Sequence, residues 1–103
     1  MSGGATYVCA LAVELHLPQA RSLKAKRATL RPIVEGLRHR HRLSVAETDH
    51  HDVWQRATIG VAAVSGSERG VTDQLDDAER FVWSHPEIEV LTATRHWLEV
   101  DLP

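Results

Sequence analysis

The 103-residue chain has little cysteine, no long apolar run and no excess of positive charge. The single Cys9 excludes an internal disulfide or a zinc cluster, and its apolar surroundings predict a small core residue in a protein from a reducing compartment. No stretch approaches the ~18 apolar residues of a membrane span, and the first residues lack the basic region of a secretory signal. We therefore expect a cytoplasmic protein that has no membrane partner.

Motifs for nucleophilic and nucleotide chemistry are also lacking. No glycine-rich phosphate loop or nucleophile elbow occurs, because the glycines at positions 66 and 70 are too sparse to form one. Cys9 has no neighbouring base, so its thiol should stay protonated and unreactive. The sequence thus predicts a protein without enzymatic activity and without a cofactor.

Length and composition are those of one folded domain. Hydrophobic residues make up 43% of the chain and charged residues 25%, which is ordinary for a globular protein. We expect residues 1–103 to form a single domain whose ordered core covers about residues 5–100, because chains of this size bury roughly two-thirds of their surface on folding.

Hydrophobic periodicity predicts four strands and two helices. Alternation indicates strands over residues 5–17, 43–48, 56–65 and 88–100. Helical spacing follows two candidate N-caps, Ser22 and Ser67. The order βαββαβ predicts an α+β, ferredoxin-like sandwich with a four-stranded antiparallel sheet and both helices on one face.

Two residues disturb the first predicted helix. Pro32 removes one helical hydrogen bond and crowds the preceding turn, so we expect a bend or a break near residues 28–32. Gly36 weakens the second half of this helix by about 0.5–1 kcal/mol relative to alanine.

Charge is distributed unevenly along the chain. Residues 21–42 hold eight Lys and Arg against one acid, whereas the remaining 81 residues hold four against thirteen. The basic segment favours a surface that binds the phosphates of RNA or another polyanion. The predicted contacts are Arg21, Lys24, Lys26, Arg27, Arg31 and Arg38. The alternative is a solvated face neutralised by acids of the second helix, which are Asp73, Asp76, Asp77 and Glu79.

The connection between the second and third strands concentrates imidazole and carboxylate groups. Residues 47–52 could ligate a transition metal or transfer protons, but no recognised ligand spacing is present. The simpler interpretation is a polar hairpin whose aspartates cap turns, and we predict no metal site.

Small residues and tryptophans provide the remaining candidate surfaces. Val8, Ala10 and Ala12 should share an uncovered sheet face with Gly60 and Ala62, and such a face could form a homodimer. Trp54, Trp83 and Trp97 could stack on bases, although tryptophans more often anchor a core or an interface. The third strand lacks the aromatic residues with which RNA-recognition modules of this topology stack bases.

Three segments together resemble a known family. They are LAVELHLP with RSLKAKR (residues 11–27), SVAETDHHDVWQRATIGVAAVSG (44–66) and FVWSHPEIEV (81–90). They are similar to the YlxP-like family, small bacterial proteins classed as a domain of unknown function. The resemblance implies a ferredoxin-like fold and, because such proteins are often encoded beside translation factors, an association with RNA or ribosomes. The family-matching hairpin positions are Glu47, Asp49, His50, Asp52, Trp54, Gln55 and Arg56.

The sequence favours a non-enzymatic RNA- or ribosome-associated protein that uses its basic first helix. One alternative is a small dimeric interaction or regulatory module. A second is a metal-dependent enzyme centred on Asp49, His50 and Asp52.

Overall fold

The computed structural model describes residues 4–100 and confirms the predicted order β-α-β-β-α-β. Every strand begins and ends within one residue of its predicted position. The elements are β1 Thr6–His16, α1 Leu23–Glu35, a π-helical turn Gly36–Arg40, β2 Ser44–Asp49, β3 Arg56–Ser65, α2 Glu68–Trp83 and β4 Glu89–Val100.

The four strands form one antiparallel sheet in the order β2-β3-β1-β4. Alternate residues of β1 and β3 point to one side, where they are buried together with residues of both helices. This common core consists mainly of Cys9, Leu11, Val13, Leu15, Ala57, Ile59, Val61, Ala63, Leu30, Ile33, Leu37, Val71, Leu75, Ala78 and Val82. Both helices therefore cover the same face of the sheet, which confirms the ferredoxin-like α+β fold.

Each helix begins at the serine predicted to cap it. The side chains of Ser22 and Ser67 accept hydrogen bonds from the backbone amides of Ala25 and Gly70, both at 3.0 Å. These bonds satisfy amides that have no partner inside the helix. Neither helix, and no other helix in residues 4–100, is long and apolar enough to cross a membrane.

Of the bend or break predicted near Pro32, the break is wrong, because α1 continues through this residue to Glu35. Pro32 is exposed, so its ring projects away from the core. The carbonyl that loses its amide donor belongs to Ala28, which is also exposed. Water can therefore hydrate that carbonyl, and the helix tolerates the proline.

Gly36 opens the π turn at a point where α2 lies very close. A Cβ atom added to Gly36 would lie 2.1 Å from Cζ of Phe81, far inside any contact distance. Gly36 therefore has a packing role that helix propensity does not reveal.

Cys9 is fully buried in β1. Burial raises the pKa of the Cys9 thiol, and the opposing influence of the Arg95 charge is smaller. This agrees with the expectation of a protonated, unreactive thiol.

Candidate functional site

Four cations lie on the exposed side of α1 and in the turn before it. Lys24, Arg27 and Arg31 are spaced by three and four residues, which places them along one face of the helix, and all three are exposed. Arg21 is exposed immediately before the N-cap. We call Arg21, Lys24, Arg27 and Arg31 the basic stripe.

The basic stripe has no acidic partner among the described side chains. None of its four residues forms an ion pair with residues 4–98. Exposed cations that are not neutralised locally produce a positive potential that attracts polyanions. The stripe is therefore an exposed positive surface that is not neutralised by direct ion pairs with the described side chains.

The acids of α2 pair with other cations. Asp73 pairs with Arg69 and Asp77 with Arg80, within α2 itself. Arg95 of β4 lies 2.8 Å from Asp76 and 3.0 Å from Glu79. The direct ion pairs of these four acids are therefore with cations outside α1.

Arg95 connects α2 to the edge strand β4. Burial lowers the pKa of its guanidinium, but the hydrogen bonds and charges of Asp76 and Glu79 raise this pKa by more. Arg95 therefore remains charged, and it joins two acids of α2 to β4.

Lys26, one of the phosphate contacts predicted from the sequence, is buried. Only 2% of its side chain is exposed. Its Nζ atom lies 2.7 Å from Oε2 of Glu47 and donates a hydrogen bond of 2.5 Å to the carbonyl of His50. A buried ammonium that is already paired cannot contact a phosphate.

Arg38 is exposed, but its guanidinium already forms a hydrogen bond within the protein. It lies in the π turn, and its Nη2 atom donates a hydrogen bond of 2.9 Å to the carbonyl of Val45 on the edge strand β2. The structure thus gives the guanidinium of Arg38 a partner within the protein, unlike the four residues of the basic stripe.

The loop between β2 and β3 is fastened to the beginning of α1 from two sides. Lys26 holds His50 at one end of the loop. At the other end, the Gln55 amide donates hydrogen bonds of 3.3 Å to the carbonyls of Pro18 and Ala20. The backbone amide of Leu17 donates to the carbonyl of Gln55 at 2.9 Å. Two of the family-matching residues, Glu47 and Gln55, thus help to hold the loop against the beginning of α1.

His50 adopts a left-handed backbone conformation with φ of 63°. The Asp49 carboxylate accepts a hydrogen bond of 2.7 Å from the His50 amide, and the His50 carbonyl also accepts one of 3.0 Å from the amide of Val53. This agrees with the interpretation of the segment as a polar hairpin with a capping aspartate.

Two of the predicted hairpin residues, His50 and Arg56, contact Glu14 of β1. Arg56 Nη2 lies 3.5 Å from Glu14 Oε1, and His50 Nε2 lies 3.7 Å from the same atom. Thr92 donates a hydrogen bond of 3.3 Å to the other carboxylate oxygen. The sequence analysis missed this cluster, because Glu14 is far from the hairpin along the chain and only strand pairing brings them together.

Within residues 4–100, no group of three or more His, Cys, Asp or Glu side chains is arranged to hold a metal ion. Asp52 and Trp54, the remaining hairpin residues, are exposed.

The tryptophans are not core residues, in contrast to the more common role of this side chain. Trp54, Trp83 and Trp97 each expose about half of their surface. They lie on the β2–β3 loop, on α2 and on β4, respectively. Of these, only Trp54 lies on the loop that is fastened beside the basic stripe.

The uncovered sheet face grades from apolar to charged along the strands. Strand register places its side chains in five rows: Val64-Val8-Leu98, Ala62-Ala10-His96, Gly60-Ala12-Thr94, Thr58-Glu14-Thr92 and Arg56-His16-Glu89. In the last row, Nδ1 of His16 lies 2.5 Å from Oε1 of Glu89. The predicted face of small residues is therefore present, with an apolar row at one end and ion pairs at the other.

Comparison with known proteins agrees with the resemblance noted in the sequence. Residues 8–95 match the model of the family described as "Protein of unknown function (DUF503)". A relative from Bacillus subtilis (strain 168), named "Uncharacterized protein YlxP", is 37% identical over 78 residues, which cover 76% of this chain and 85% of the relative. Neither description states a ligand, a reaction or a partner.

Proposed function

We propose that this chain, which belongs to the DUF503 family, is a non-enzymatic protein that binds RNA, free or in a ribosomal particle, through its basic stripe. The observation that supports this proposal is the set of four exposed cations without an acidic partner among the described side chains. When the cations of such a surface neutralise the phosphates of a nucleic acid, they release the counterions condensed on it, and this release favours binding.

The stripe positions RNA without reading its sequence. Lysine and arginine side chains on phosphates fix the place and direction of a nucleic acid, but they carry no base information. Arg21, Lys24, Arg27 and Arg31 are the proposed phosphate contacts. Arg38 has a lesser role, because its guanidinium already binds the carbonyl of Val45.

Replacing Arg27 and Arg31 with glutamine is expected to weaken RNA binding and to reduce its salt dependence. Each phosphate contact on a single strand contributes about 0.7 to the slope of log affinity against log salt, so this slope should fall by about 1.4. The measurement is fluorescence anisotropy of a labelled single-stranded RNA over a series of salt concentrations.

The matched control removes two arginines from another surface. Arg69 and Arg80 are exposed on α2, and each is already paired with an acid. Their replacement with glutamine changes the net charge by the same amount and should leave the slope unchanged. Equal losses in the two variants, or no binding by the unmodified protein at low salt, would contradict the proposal. Sedimentation of lysate at low and high salt would show whether ribosomal subunits carry the protein.

We further propose a homodimer through the uncovered sheet face, because two of its large apolar side chains are conspicuously exposed. Val64 and Leu98 expose 58% and 60% of their surface and flank Val8 in one row. Strand spacings give this face an area of about 600 Å². Two such faces would bury about 1,200 Å², the lower end of the range for stable interfaces. A second copy of the chain therefore suits this surface.

The gradient along the face restricts how two copies could pack. If the strands of the copies ran in opposite directions, Arg56 and Glu89 of the last row would be buried against the apolar first row, which is unfavourable for charged groups. A two-fold axis along the strands instead places the apolar rows together and the charged rows together.

Replacing Leu98 with lysine should therefore convert a dimer into a monomer. Light scattering at high micromolar concentration should give twice the chain mass for the unmodified protein and the chain mass for the variant. Trp83→Lys is the control, because Trp83 is equally exposed but lies on α2. A monomeric mass for the unmodified protein would refute the dimer.

A further inference from the structure

Trp54 is an exposed indole at a fixed place on the molecule. It exposes 52% of its surface and lies in the loop between β2 and β3, beside the half-exposed Val53. The indole is neither part of the buried core nor one of the partly buried side chains packed against it. Its large apolar surface is available to a ligand.

The contacts of Gln55 place Trp54 close to the start of the basic stripe. Gln55 follows Trp54 in the chain, and its side chain donates a hydrogen bond to the carbonyl of Ala20, which precedes Arg21. Adding the lengths of these links gives a separation of no more than about 15 Å between the Cα atoms of Trp54 and Arg21. A short nucleic-acid strand could contact both residues.

The loop that carries Trp54 is held rigidly against α1. Lys26 of α1 binds the carbonyl of His50 and the carboxylate of Glu47, and Gln55 binds the segment that precedes α1. A side chain on a fixed support loses little conformational freedom when a ligand stacks on it. Trp54 is therefore preorganised relative to the stripe.

We propose that Trp54 is a base-stacking platform and that the ligand of the basic stripe is single-stranded nucleic acid; this inference rests on the proposed function. Unpaired bases offer a free face to an indole, whereas bases within a duplex already stack on one another. Arg21 and Lys24 bind the adjacent phosphates, while Trp54 binds a base without regard to its identity.

A variant with Trp54 as its only tryptophan provides a direct probe. In the Trp83→Phe, Trp97→Phe protein, a single-stranded oligouridylate should quench the fluorescence of Trp54, and an RNA duplex of the same length should not. In the otherwise unmodified protein, Trp54→Ala should weaken binding of the single strand by about 5- to 150-fold, the range of one stacked base. The slope of log affinity against log salt should not change, because no phosphate contact is lost.

Two further variants separate stacking from a structural effect. Trp54→Phe keeps an aromatic ring and should recover most of the affinity, whereas Trp83→Ala should leave affinity unchanged. If the protein bound neither the single strand nor the duplex, the proposed function itself would be overturned. Binding that depends on salt but is insensitive to Trp54→Ala would leave the stripe in place and overturn the stacking platform. Equal loss of single-strand and duplex binding in Trp54→Ala would also overturn it.

Discussion

Replacing Glu47 with glutamine is expected to lower the free energy of unfolding by about 3 kcal/mol or more. The reason is the burial of Lys26, whose side chain is only 2% exposed and whose ammonium is paired with Glu47. Without the carboxylate, this charge stays buried with neutral acceptors alone, the carbonyl of His50 and the new amide oxygen, and no negative charge compensates it. Urea denaturation monitored by circular dichroism measures the loss.

Replacing the other member of the ion pair, Lys26, should lower the free energy of unfolding by less. Lys26→Met keeps most of the apolar stem in the core and removes the buried charge. Oε2 of the remaining Glu47 carboxylate is buried, but the side chain as a whole is 27% exposed, so water can hydrate part of the group. The order of stability should therefore be the unmodified protein, then Lys26→Met, then Glu47→Gln, and the double variant should resemble Lys26→Met.

This asymmetry also separates the structural role of Lys26 from the RNA-binding role first predicted for it. Lys26→Met should leave the salt dependence of RNA binding unchanged, in contrast to the Arg27, Arg31 variant. A slope reduced by about 0.7, together with unchanged stability, would show that Lys26 contacts a phosphate after all.

The position of Lys26 on the buried side of α1 could be predicted from the sequence, but its ion-pair partner could not. Lys26 lies three residues after Leu23 and four before Leu30, which is the spacing of the apolar side of α1. Its charge nevertheless suggests a surface position, because lysine is rarely buried without a partner. That partner is Glu47 on β2, and no pattern within α1 can reveal a contact with another element.

The strands and helix starts could be predicted closely because their signals are local. Alternation in β1 and β3 and the capping serines act through neighbouring residues, and the structure confirms them. The effect of Pro32 is also local, but its outcome depends on whether Ala28 and the proline ring are exposed to water. For that reason the helix does not break at Pro32.

The candidate site was predictable only where one element supplies it. The spacing of Lys24, Arg27 and Arg31 along α1 is visible in the sequence, so the basic stripe was found. The cluster of Glu14 with His50 and Arg56 depends on the register between β1 and β3 and on an irregularity between Glu47 and Asp49 in β2. Such features become visible only in three dimensions.

Replacing Gly36 with alanine is expected to destabilise the protein by about 1–3 kcal/mol, the range for overpacked cores. Helix propensity alone predicts the opposite, a gain of about 0.5–1 kcal/mol. Packing should prevail because the new Cβ atom would lie 2.1 Å from Cζ and 2.6 Å from Cε2 of Phe81. Either the aromatic ring or the π turn must move, and thermal and urea unfolding would both report the loss.

Shortening Phe81 should reveal that this clash is the cause. Phe81→Leu alone removes ring contacts with Gly36 and the flanking His41 and His85, so it should also destabilise the protein. In the double variant, the methyl group added by Gly36→Ala contacts the smaller leucine side chain. The free energy of unfolding lost by the double variant should therefore be smaller than the sum of the losses in the two single variants. Gly66→Ala is the control, because a Cβ atom added to Gly66 would meet no atom within 4 Å, and its stability should change little. An increase in stability on Gly36→Ala would mean that α1 and α2 lie farther apart than the structure places them.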